Sequence, residues 1–142
     1  MTQKPSENEQ RARKLILSIQ ALEDEVVHGQ SNLQMIEVQA QRLEETATAV
    51  TELKKHASGD EVMVSLGAGV HLQVKLVNAS RVVAAMGAGV AAERNLDDAL
   101  ALFKKQQEQL ADIAKRQEEQ LQTYQSQIDD MRNQLSQLLQ QK

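Results

Sequence analysis

From Ala12 onward, apolar residues recur in steps that alternate three and four: Ala12, Leu15, Ile19, Leu22, Val26, Leu33, Ile36, Ala40, Leu43, Ala47 and Val50, with Gly29 at the one remaining position. This is a heptad seam, with Ala12, Ile19, Val26, Leu33, Ala40 and Ala47 at a and Leu15, Leu22, Gly29, Ile36, Leu43 and Val50 at d. A stripe so narrow fits one partner helix, because a helix facing a globular core widens its apolar face through e or g positions. Ser6 and Glu9 form a capping box after Pro5, and Lys54, Lys55 and His56 set positive charge against the last carbonyls before Ser58-Gly59. The pattern predicts a coiled-coil helix over residues 7–57 after a disordered segment, 1–6.

A second seam runs without a slip through Leu96, Leu100, Phe103, Gln107, Leu110, Ala114, Gln117, Leu121, Tyr124, Ile128, Met131, Leu135 and Leu138. Asn95 is placed to cap it, with Asp97 and Asp98 in the first turn where the helix dipole favours anions. The second helix is expected over 95–142. Each helix would be roughly 70 to 75 Å long. Two narrow seams of matched length predict an antiparallel intrachain coiled coil, with Val50 near Leu96 and Leu15 near Leu135.

Between the helices, residues 58–94 change period from 3.5 to 2. Val62, Val64 and Leu66 alternate with Met63 and Ser65, and Val70, Leu72, Val74 and Leu76 alternate with His71, Gln73 and Lys75. Val82, Ala84, Met86, Val90 and Ala92 continue on even positions, with Val83 an apolar exception. Ser65-Leu66-Gly67-Ala68-Gly69-Val70 returns twenty residues later as Ala85-Met86-Gly87-Ala88-Gly89-Val90. The repeat reads as two β-hairpins with Asn78-Ala79-Ser80 turning between them. The expected fold is α+β: a long antiparallel two-helix coiled coil whose paired hairpins drive oligomerisation through a barrel-like base. Burying the nine larger side chains of the sheet face is worth on the order of 10 to 30 kcal/mol, and both helices spend their stripes on each other. Neighbouring chains are therefore expected to supply the cover. Val62, Val64, Leu66, Gly67, Gly69, Val70, Leu72, Val74, Leu76, Val82, Met86, Gly87, Gly89 and Val90 are the candidate interface.

Composition narrows the chemistry. Sixteen Lys and Arg against twenty Asp and Glu give a net charge of −4, the wrong sign for a nucleic-acid binder. The chain has no cysteine, hence no disulfide, thiolate zinc site or cysteine nucleophile, which suits a reducing cytoplasm. The polar N-terminal stretch and the lack of a long apolar run predict a cytoplasmic protein with no membrane partner. Gly87-Ala88-Gly89-Val90-Ala91-Ala92 fits G-x-G-x-x-A, but no short crossover helix follows and Glu108 lies within the second helix, so a dinucleotide site is not expected. His28, His56 and His71 lack ligand spacing, and the acidic clusters fall mostly on solvated helix faces. No catalytic residue, metal or cofactor is assigned, and the chain reads as a non-enzyme.

The far end of the two helices carries more aliphatic surface than its pairing uses. Ile16 and Leu17 occupy e and f, and Leu139 occupies e beside Leu138, with Met131 and Leu135 behind. Such a surface touches apolar segments without reading their sequence. The twelve Gln from residue 96 onward keep the helices soluble.

The order of features, with Gly67-Ala68-Gly69 and Gly87-Ala88-Gly89 in paired hairpins and then Glu93, Leu96 and Ala99 opening a second long helix, resembles the α-class subunits of the prefoldin family. The resemblance covers nearly the whole chain, and the paired hairpins are its specific part; Ser65 and Val90 depart from the Pro and aromatic frequent there. It implies a hexamer of two α and four β subunits, with hairpins forming a double β-barrel. It also implies ATP-independent capture of unfolded polypeptides at the helix tips and delivery to a group II chaperonin. Ile16, Leu17, Ile19, Met131, Leu135, Leu138 and Leu139 would be the client contacts. The rival expectation is a scaffolding protein whose hairpins build filaments or rings.

Overall fold

A computed structural model describes residues 6–140, apart from the Met86 side chain. The elements follow as α1 (Glu7–Leu53), β1 (Glu61–Gly67), β2 (Val70–Lys75), β3 (Arg81–Gly87), β4 (Val90–Asn95) and α2 (Leu96–Gln140). Of the segment expected to be disordered, 1–6, residues 1–5 lie outside the described residues, as does the end of the second helix, 141–142. No described helix is long and apolar enough to cross a membrane.

Side-chain caps set the starts of both helices. The Glu9 amide donates to Ser6 Oγ at 3.2 Å and the Gln10 amide to the Ser6 carbonyl at 3.0 Å. At α2, the Asp98 amide donates to Asn95 Oδ1 at 2.7 Å, which satisfies an amide that has no carbonyl one turn back. The first helix stops at Leu53, short of the expected 57. The amides of Lys54, Lys55 and His56 reach carbonyls only three residues back, at 3.0 to 3.2 Å, tightening the chain into a turn. The Ala57 amide then donates to the Asp60 carboxylate at 2.9 Å instead of to a helical carbonyl. The sequence reading set Lys54, Lys55 and His56 within the last turn of the helix; they lie past its end, in the turn that Asp60 holds.

The chain divides into two compact units, residues 1–38 with 111–142 and residues 39–110. In the first, every residue assigned to a or d is buried or half-buried while the flanking positions are mostly exposed; Ile19, Gly29 and Ile128 are the buried ones. The helices run antiparallel here: Arg132 pairs with Glu23 at 2.5 Å, and a Cβ at Gly29 would collide with Leu121 and lie 2.7 Å from Gln117 Nε2. In the second unit the buried residues are Val50, Ala79, Ala84, Leu96 and Ala99, and Lys54 pairs with Asp97.

The two hairpins have one register, offset by twenty. Val62 faces Val74, Val64 faces Leu72 and Gly67 faces Val70; Val82 faces Arg94, Ala84 faces Ala92 and Gly87 faces Val90. Each register slips before its glycine, between Ser65 and Gly67 and between Ala85 and Gly87, so each first strand carries a bulge. Each hairpin is a separate two-stranded sheet. Gly59 donates to the Leu76 carbonyl at 2.6 Å and Leu76 to the Asp60 carbonyl at 2.9 Å, closing the base of the first hairpin. Asn78 Oδ1 then accepts from both the amide and the hydroxyl of Ser80, at 2.9 and 2.6 Å, and turns the chain into β3.

Candidate functional site

Two surfaces carry the candidate residues. On the first hairpin, period-2 alternation places Val62, Val64, Leu72 and Val74 on one face, as their cross-strand pairing requires, while Leu66 sits at the bulge. This face is not uniformly open, which corrects the expectation that nothing within the chain covers it. Val62, Val74, Leu76, Val82 and Ala92 are half-buried and Ala84 is buried, whereas Val64, Leu66, Val70, Leu72 and Val90 are exposed. For the first hairpin the physical reason is proximity to the end of α1: Ala49, Leu53 and His56 line one groove of about 640 Å³ together with Val62, Met63, Val64 and Leu76. Hairpin roots are thus partly covered and the halves toward the turns are bare. Met63, Val77 and Val83 add exposed aliphatic surface outside the even-numbered set, with Val77 94% exposed in the linker between hairpins.

The four candidate glycines act through their backbone. Gly67, Gly69, Gly87 and Gly89 have φ of 95°, 78°, 91° and 76°, and a Cβ at any of them would meet nothing within 4 Å. Their requirement is conformational rather than steric. Between them Ala68 and Ala88 also sit at positive φ, 51° and 52°. Ala68-Gly69 and Ala88-Gly89 are therefore the two-residue loops of tight hairpins, a form that demands positive φ at both positions.

The second surface lies in the other unit, where the start of α1 meets the end of α2. Arg11, Lys14, Leu15, Gln134, Gln137 and Leu138 line a cleft of about 480 Å³ there. Around it Ile16, Leu17 and Leu139 are exposed, Leu17 to 66%, while Met131, Leu135 and Leu138 are half-buried in the seam. Ile19 differs from the rest of the candidate set. At 7% exposure it is a packing residue of the helix pair, because a positions face the partner helix. The sequence reading missed the cations of this cleft, although the acid-free run from residue 10 to 20 was there to find.

Among the described residues no three His, Asp or Glu converge as a metal site. Among the described residues the titration of Asp60 is clearly displaced: the Ala57 amide holds its carboxyl below the ordinary range, against an opposing effect of burial and aided by His56 Nδ1 at 3.4 Å.

Comparison with known proteins follows this geometry. The model of the prefoldin subunit family matches residues 22–141. A prefoldin subunit alpha of Methanothrix thermoacetophila is 30% identical over 116 residues, spanning 82% of this chain and 76% of the relative. One from Methanopyrus kandleri is 32% identical over 115 residues, spanning 78% and 71%. A chain of the filamentous PFD of Methanocaldococcus jannaschii, seen by cryo-electron microscopy, superposes with a TM-score of 0.64 at 19% identity, covering 86% of this chain and 95% of that one. A chain of two long helices with paired antiparallel hairpins between them, matched by the family model over most of its length, belongs to the prefoldin family of chaperone subunits. Within that family it is an α-class subunit.

Proposed function

We propose that this subunit works in a holdase: joined to β-class subunits through its hairpins, it holds unfolded polypeptides at the free helix ends. It does so in the cytoplasm without nucleotide and passes its clients to a group II chaperonin. The observation that carries this reading is the aliphatic surface at the helix ends. Ile16, Leu17 and Leu139 stay 43%, 66% and 63% exposed beside a seam whose own residues are buried or half-buried, so much of their surface is not used in pairing α1 with α2. Each exposed side chain costs the folded chain apolar hydration that a client contact would recover. The bare outer halves of the hairpins are the matching argument for assembly, most simply in a hexamer of two α and four β subunits.

The test is suppression of aggregation of a chemically denatured enzyme by the assembled protein, without ATP. Removing residues 1–18 and 131–142 is expected to abolish suppression while leaving oligomer size unchanged. A truncated form that protects equally well would dismiss the helix ends as the client site.

A second reading has one observation in its favour, the likeness to a chain of a filamentous assembly. In that case hairpins of this chain would add end to end and the helices would decorate a fibre. Electron microscopy of the purified chain alone separates the two: extended fibres favour the scaffold, and dependence on a second subunit favours the holdase.

A further inference from the structure

We propose that the cleft between the start of α1 and the end of α2 selects among unfolded segments, taking those in which aliphatic residues stand beside carboxylates. The inference rests on the holdase reading and gives that site a substrate class.

The cleft is lined by cations although the net charge of the chain is −4: residues 10–20 and 131–140 carry Arg11, Arg13, Lys14 and Arg132, with Glu7, Glu9, Asp129 and Asp130 just outside those stretches. Of these, Arg132 is already engaged by Glu23 at 2.5 Å. Among the described residues neither Arg11 nor Lys14 is in an ion pair, and both line the cleft. Arg11 and Lys14 are three apart, and Leu15 is four from Arg11, so all three share one helix face. Leu15 and Leu138 form an apolar floor, and Gln134 and Gln137 offer amides to a client backbone.

An extended segment laid here would place an aliphatic side chain on Leu15 and Leu138 and a neighbouring carboxylate between Arg11 and Lys14. The apolar contact is indifferent to the client's charge, and the cations are not. Beside a low-dielectric surface they attract a carboxylate and repel an ammonium. Glu7 and Glu9, within two turns of Arg11 and Lys14 on α1, weaken this preference without lining the cleft, and acidic residues more than about 10 Å away are screened at ordinary ionic strength.

The chain has no cysteine, so Ser136→Cys accepts a single fluorophore beside the cleft and reports binding there within the complete assembly. Three peptides with the same aliphatic residues, flanked by Glu, Gln or Lys, would be titrated at low and high salt. Two exposed ion pairs of ordinary size amount to about a fivefold preference for the Glu-flanked over the Lys-flanked peptide at low salt, shrinking as salt rises. In Arg11→Glu/Lys14→Glu the order is expected to invert. Both positions are exposed on α1, and circular dichroism checks the fold.

Equal binding of all three peptides overturns the charge selection and leaves the holdase reading standing. An order that persists in the double variant also overturns it, as does an aliphatic-free acidic peptide that binds equally well. Binding of none of them overturns both.

Discussion

Ala68 and Ala88, at φ of 51° and 52°, occupy the left-handed region, which a Cβ makes costly by about 1 to 2 kcal/mol. Asn enters the same region more readily and is favoured ahead of Gly in such turns. Ala68→Asn and Ala88→Asn are each expected to stabilise the protein by about 0.5 kcal/mol, read as a raised urea midpoint. A lowered midpoint would mean that the methyl groups contribute packing which outweighs the strain. The repeat was legible in the sequence as a pair of hairpins, because glycines bracketing a residue between two alternating runs have few other uses. That the central Ala itself turns left-handed was not, since Ala carries no local signal for that region. Gly29 makes the complementary case. Its seam position was plain from spacing, but only the packing shows Leu121 filling the room a methyl would need. Gly29→Ala alone should gain little, since about 1 kcal/mol of helix propensity is offset by overpacking. In a Leu121→Ala background the same change should show the full gain. A urea double-mutant cycle measures the coupling, and additive effects would show that the two residues do not meet.

Element boundaries were legible wherever a side chain announces them. Asn95 before Asp97 and Asp98 predicted the start of α2, and the 2.7 Å bond from the Asp98 amide realises it. Asn95→Ala is expected to cost about 1 kcal/mol, visible in the thermal midpoint and in faster amide exchange through the first turn of α2. The end of α1 was less legible, because the run of Lys54, Lys55 and His56 reads equally well as a last helical turn. Asp60 decides against that continuation. Its carboxyl is held below the ordinary range chiefly by the Ala57 amide, so the folded state favours its ionised form. That contribution is complete above the ordinary carboxylate pKa and is lost as the pH falls through the depressed value. The closure between α1 and β1 should therefore loosen in acid. Asp60→Ala should show the loosened closure already at neutral pH and a flatter dependence on acid, followed by amide exchange at Gly59 and Leu76. An unchanged acid profile in the variant would remove Asp60 from this role.

At the scale of the whole molecule the exposed halves of the hairpins matter most. Leu66 and Leu72 are 62% and 51% exposed, and a carboxylate at each would be solvated in the free chain but buried in any assembly. Leu66→Asp/Leu72→Asp is expected to leave helix content unchanged by circular dichroism while sedimentation shows loss of the oligomer. An intact oligomer would move the interface away from this face. By itself the sequence determined the two seams, the doubled hairpin and the α+β architecture, because each is written in the period of its apolar residues, and period is a local property of the backbone. Only the tertiary structure decided which apolar residues stay bare. The root of the first hairpin gains cover by lying near the end of α1, Ile19 is withdrawn into the helix pair, and two helix ends distant in sequence bring Arg11 and Lys14 to one cleft with Leu138. Exposure is set by what lies opposite a side chain in space, and no pattern along one chain records that.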